Sequence, residues 1–87
     1  MINFYSIHSK TSGLFDTPFP CENDKRAIYE LRYLINSVQQ SAISQDPSDH
    51  SLYRVAIFDN ESGKIKHQND CLCKDLSVLV KKGGKDE

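Results

Sequence analysis

The hydrophobic pattern begins with residues 2–8 (Ile-Asn-Phe-Tyr-Ser-Ile-His), rich in β-branched and aromatic side chains and free of Gly and Pro, which predicts a strand. From Ser9 to Asn23 the pattern breaks. Ser9, Ser12 and Gly13 signal a turn, and Pro18 and Pro20 exclude a helix interior or a central strand. Phe15 and Phe19 fall in this loop, where they either pin it to the core or meet a partner. Asn23 or Asp24 then caps a helix expected over about 24–40, with Ile28, Leu31, Leu34, Ile35 and Val38 forming an apolar stripe at three- and four-residue spacing. Tyr29 and Tyr33 flank the stripe, while Lys25, Arg26, Glu30 and Arg32 lie on or near the other side.

Residues 39–51 are polar, contain Pro47 and read as a connecting loop. Leu52–Asp59 is the clearest strand. Simple alternation points Tyr53, Val55 and Ile57 one way and Leu52, Arg54, Ala56 and Phe58 the other, and the apolar character of both faces predicts a central position. Asp59-Asn60-Glu61-Ser62-Gly63 is a hairpin connection, with Gly63 placed for a left-handed residue. The return strand, about 64–69, is basic at Lys64 and Lys66, as suits an edge. Cys71–Val80 reads as a short helix capped by Asp70, or, at its Ser-Val-Leu-Val end, as a strand, and 81–87 as a flexible charged tail.

The expected fold is therefore a single α+β domain over 1–80. A small three-stranded, mainly antiparallel sheet (2–8, 52–59, 64–69) packs one face on one long helix, and a short C-terminal helix or strand closes an edge. Length sharpens this picture. At 87 residues and 38% apolar composition the core is small, so the other sheet face, with its residual apolar groups, is a candidate homodimer interface. Eleven Lys+Arg against 12 Asp+Glu give a net charge of −1, which excludes a chain that coats nucleic acid by overall charge; any such binding needs a local patch. No run approaches a membrane span, and Met1–Tyr5 lacks a basic n-region, so neither membrane nor signal peptide is expected and the cytoplasm is the expected compartment. An odd count of three cysteines agrees with a reducing compartment.

The four glycines form no phosphate loop, there is no Gly-x-Ser-x-Gly elbow, and His8, His50 and His67 lie in separate segments, so no enzyme and no cofactor is expected. Cys21, His67, Cys71 and Cys73 carry the right ligand types for zinc. Cys-x-Cys is not the paired Cys-x₂-Cys of structural zinc, however, and a buried thiol beside an exposed one is the preferred reading over a metal. Aromatics interleaved with basic residues nominate a nucleic-acid site: Lys10, Arg26, Arg32, Arg54, Lys64 and Lys66 for phosphates, and Phe15, Phe19 or Tyr53 for base stacking. Arg54 is the most informative of these. A charge within an apolar strand marks either an ion pair or an open, ligand-facing sheet surface.

Several segments together resemble a known family: an N-terminal strand ending Tyr-Ser-Ile, then Leu14-Phe15-Asp16-Thr17-Pro18-Phe19, Ala27-Ile28, and the block from Pro47 through Leu52-Tyr53 and Phe58-Asp59 to Ser62-Gly63. Their order and spacing over residues 4–65 resemble the small nonstructural protein of gokushoviruses, the single-stranded DNA phages of the Microviridae that include the chlamydia phages. The chain departs from that pattern at Ser9-Lys10-Thr11, Tyr29 and Ala56, where the family often has Asp-x-Lys, Arg and Gly. Two of these departures remove a basic residue, with Lys10 and Arg26 nearby to compensate. The resemblance implies a nonstructural role in genome replication and packaging in the infected bacterium, without a required cysteine set. Two functions follow as expectations. The first is a non-catalytic replication and packaging factor binding single-stranded DNA, expected as a dimer. The second is a protein-interaction module that recruits a viral or host replication protein through its exposed aromatic loop, without direct DNA contact.

Overall fold

The computed structural model describes residues 1–37 and 46–80. In chain order these form β1 (Ile2–Ser9), β2 (Phe19–Cys21), helix α1 (Asp24–Ser37), a 3-10 turn at Pro47–Asp49, β3 (His50–Asp59), β4 (Lys64–Cys73) and a second 3-10 turn at Leu76–Leu79. The strands make one antiparallel sheet in the order β2-β1-β3-β4. This overturns the expected three-stranded sheet on one long helix. Among the described residues the fold is mostly β, with four strands and one α-helix, the 14-residue Asp24–Ser37.

Each difference has a local cause. Phe19-Pro20-Cys21 was excluded from a central strand by its proline, yet it sits at the sheet edge, where Pro20 lies opposite Phe4 and a missing N–H is tolerated. The return strand continues past its expected end at 69 to Cys73, because Tyr53 pairs with Cys71 and Leu52 with Cys73. The helix expected over Cys71–Val80 is thereby reduced to one 3-10 turn. Its cap is Asp75 rather than Asp70, the Asp75 side chain accepting the Ser77 N–H at 2.9 Å. Residues 38–40 of the expected helix, most of the polar loop before Pro47 and the tail 81–87 lie outside the described residues.

Other local expectations hold. Asn23 caps α1, its side chain accepting the Arg26 N–H at 2.8 Å. Gly63 takes φ 77° in the β3–β4 turn, where its N–H reaches the Asp59 carbonyl at 2.7 Å. β3 is central and β4 is an edge.

The core lies on one side of the sheet. Tyr5 and Ile7 of β1, Leu52 of β3, Ala27, Leu31 and Ile35 of α1, and Leu76 and Leu79 of the C-terminal turn are buried together. The helix stripe thus meets the sheet through its inner positions, while Tyr29 and Tyr33 remain exposed. Asn36 ties the helix to the C-terminal turn, donating from Nδ2 to the Leu79 carbonyl at 3.0 Å.

One irregularity sorts the two faces. β1 pairs with β3 as Tyr5↔Arg54 on one side of Val55 and as Phe4↔Ala56 on the other, so Val55 is an extra residue, and β4 bulges beside it at Gln68 and Asn69. Directly opposed residues share a face. Leu52, Arg54 and Ile57 therefore fall on the helix side, and Tyr53, Ala56 and Phe58 on the other. Uninterrupted alternation, which grouped Tyr53 with Ile57 and Arg54 with Phe58, is corrected by this bulge.

Truncation should separate the two faces energetically. Leu52→Ala or Leu76→Ala, each fully buried, is expected to cost about 2–5 kcal/mol in urea unfolding. Ile65→Ala, 70% exposed on the open side, should change stability by less than about 0.5 kcal/mol.

Candidate interaction surface

Arg54 stands where the helix meets the sheet. Its guanidinium donates to both Asp24 oxygens, at 3.0 and 3.1 Å, and to Asp70 Oδ2 at 2.8 Å. The Tyr5 hydroxyl donates to the same Asp24 carboxylate at 2.7 Å and accepts from Asn3 Nδ2 at 3.2 Å. Asp24 is the first residue of α1, so one carboxylate serves the helix N-terminus, a strand tyrosine and a strand arginine. The hydrogen bond to Asp70, together with the charge of Asp24, raises the Arg54 pKa further. Of the two alternatives open for Arg54, the ion pair is the one realised, and its charge is committed within the fold.

The other nominated cations do not converge. Arg26 pairs with Glu30 at 2.9 Å and lies over the Tyr29 ring. Arg32 is exposed on the helix. Lys10 donates to the Ser48 carbonyl at 2.9 Å, in a turn held by Asp49, which accepts from Ser9, from the Thr11 hydroxyl and from the Thr11 N–H. These bonds, that from the Thr11 hydroxyl foremost, hold the Asp49 carboxyl below the usual carboxylate range. Lys64 and Lys66 stand on edge strand β4 opposite Asp59 and Ile57. Both signs are therefore interspersed around the molecule.

The aromatic candidates divide as well. Phe19 packs against Tyr5 on the core side, with ring centroids 6.0 Å apart. Phe15 and Tyr53 instead meet on the face away from the helix, 5.3 Å apart, with His8 4.6 Å from Phe15 and 5.9 Å from Tyr53. The loop before β2 supplies Phe15 by bridging Phe15 to His8 in antiparallel fashion. Ser6, on the same face, anchors this loop by donating to the Asp16 carbonyl at 2.6 Å.

Around the trio, the register places Ile2 and Phe4 of β1, Ala56 and Phe58 of β3, and Ile65, His67 and Cys71 of β4 on the same face. On this face the loop at Asp16 covers Ser6 and the chain at Lys74 covers Ser51, both of which are buried. Phe15 is 49% and Ile65 70% exposed. A depression of about 480 Å³ crosses the face, floored by Ser6 and Val55 and walled by Phe15 and Pro18 on one side and His67, Gln68 and Asn69 on the other. Among the described residues, register places no Lys, Arg or Glu on this face, and Asp16 is the acidic residue lining the depression.

His8, Phe4, Phe58 and Ile65 were not nominated from sequence. The period-two set Ile2, Phe4, Ser6 and His8 was a readable signal for one strand. The grouping across strands depends on register and was not readable.

The zinc-type residues are not brought together. Cys21 lies on β2, separated from β4 by two intervening strands, or roughly 14 Å. On β4, His67 and Cys71 share the open face, while half-buried Cys73 packs against the core. Burial raises the thiol pKa of Cys21 and Cys73. Among the described residues no group of three or more His, Cys, Asp or Glu is placed to hold a metal ion. Nor is any helix among them long and apolar enough to cross a membrane.

A family model described as phage ORF5 protein matches residues 2–78. No match is found among curated proteins or among solved structures.

Two stability predictions follow from the Arg54 network. Arg54→Ala should cost about 1–2 kcal/mol in urea unfolding, since both carboxylate partners keep substantial solvent contact. Tyr5, 0% exposed, has its pKa pushed up to about 12 by burial and by its bond to Asp24. The folded state thus holds this proton more tightly than the unfolded chain. The associated stability is complete below pH ~10 and lost as pH rises through about 12, by at most about 2–3 kcal/mol. Tyr5→Phe should remove that alkaline loss in unfolding curves measured between pH 9 and 12.

Proposed function

The chain belongs to the phage ORF5 protein family, and we propose that it acts as a non-catalytic protein-interaction module whose working surface is the uncovered face of its sheet. The carrying observation is the character of that face. Ile2, Phe4, Phe58 and Ile65 join the His8–Phe15–Tyr53 trio in a contiguous apolar and aromatic surface, without a cluster of cations. Nucleic-acid affinity rests mainly on neutralising phosphates. Here Arg54 and Arg26 are already engaged with carboxylates, and Lys64 and Lys66 lie across the edge strand from the aromatic trio. An aromatic, charge-depleted patch is the composition of a protein–protein interface core. In this reading the protein works in the cytoplasm of the infected bacterium, as a gokushovirus-type nonstructural protein that recruits a viral or host replication protein.

Single-stranded DNA is the second reading, favoured by one observation: Phe15, Tyr53 and His8 together present ring faces and edges on an open sheet, the arrangement on which unpaired bases stack. The two readings separate in one experiment. Tagged full-length protein is captured from phage-infected cells with and without nuclease, beside Ile65→Lys, which places a charge on the face without touching the core. The interaction reading expects partners that survive nuclease and fall at least fivefold with the variant. Loss of all partners on nuclease treatment overturns it. Oligonucleotide binding that weakens log-linearly with salt, with slope near −0.7 per phosphate contacted, then establishes DNA in its place.

A further inference from the structure

We propose that the open face also self-associates, two copies of this chain stacking their sheets face to face across a two-fold axis in competition with any other partner; this rests on reading that face as an interaction surface. Three features of the fold point to self-association through the face rather than an edge. First, both sheet edges are blunted against pairing. β2 is three residues long and centred on Pro20, while β4 carries Lys64, Lys66 and Asp70 and is bent by bulges at Gln68–Asn69 and at Leu72. The face has no such protection, and Ile65 and Phe15 stand open on it.

Second, the face is compatible with itself. A two-fold interface brings the same patch against its copy, so any cluster of like charge would meet itself. The positions that register places on this face, namely Ile2, Phe4, Ser6, His8, Ser51, Tyr53, Ala56, Phe58, Ile65, His67 and Cys71, hold no Lys, Arg, Asp or Glu. The ion pairs lie elsewhere, with Arg54–Asp24 and Arg54–Asp70 on the helix side and Arg26–Glu30 on the helix itself.

Third, the dimensions match a modest dimer. Strand rise and spacing give the face a plan of about 25 by 15 Å, or roughly 400 Å². Allowing for side-chain relief, a pair would bury on the order of 1,000 Å², at the small end of specific interfaces. The sheets would pack about 10 Å apart, converting a helix-on-sheet layer into a four-layer helix–sheet–sheet–helix particle.

Sedimentation velocity of the full-length chain from about 1 µM to 1 mM tests the proposal. Wild type should shift from monomer to dimer within that range. Ile65→Lys should raise the dissociation constant at least tenfold while keeping the wild-type circular dichroism spectrum and urea midpoint, and Phe15→Ser, which also gives up its ring contacts with His8 and Tyr53, should do so with a wild-type circular dichroism spectrum and a lowered midpoint. Val78→Lys, an exposed apolar position off this face, should leave it unchanged. A chain monomeric throughout overturns the proposal, as does a dimer indifferent to both face variants. Capture from infected cells is scored on proteins other than this one, so the interaction reading stands or falls separately.

Discussion

The fold turns on a single extra residue. Side chains along a strand alternate with period two, so one inserted residue exchanges the two faces for everything beyond it. Val55 is that residue in β3. Because of it, Leu52 and Arg54 face α1 at one end of the strand while Phe58 joins Tyr53 on the open side. Without the bulge, placing Arg54 under the helix would place Phe58 there too, and the open face would lose its largest β3 contributor beyond Tyr53.

Arg54 shows how the arrangement is fixed. A guanidinium in the middle of a sheet is tolerated only where carboxylates meet it, and Asp24 and Asp70 come from the helix start and the edge strand respectively. The same Asp24 accepts from buried Tyr5, coupling the first turn of α1 to β1 as well as to β3. This network orients the helix on one face. It also withdraws the most conspicuous cation of the sequence from ligand binding.

One-sided burial then gives the molecule its functional character. A 14-residue helix and one 3-10 turn cover the core side, and the opposite side keeps an aromatic surface whose strand positions carry no charge. Family membership establishes a phage protein, and the proposed interaction role draws on the chemistry of this face. Both sheet edges are unsuited to strand addition, which is why the proposed association runs through the face.

The sequence by itself determined the local features: the Asn23 cap, the apolar stripe of α1, the Gly63 turn, the central position of β3 and the edge position of β4. These depend on neighbours within a few residues, where capping, periodicity and left-handed glycine act. Tertiary structure alone decided the rest. Pro20 forms a strand because an edge beside β1 was available, and the C-terminal stretch stays extended to Cys73 because β3 offered ladder partners. The candidate site divided along the same line. Phe15 and Tyr53 are legible as base-stacking candidates, but their meeting with His8, the removal of Phe19 to the core and the pairing of Arg54 depend on register. Register is a property of strand pairs, and the bulge that sets it lies at Val55, an ordinary strand-forming residue with nothing local to mark it.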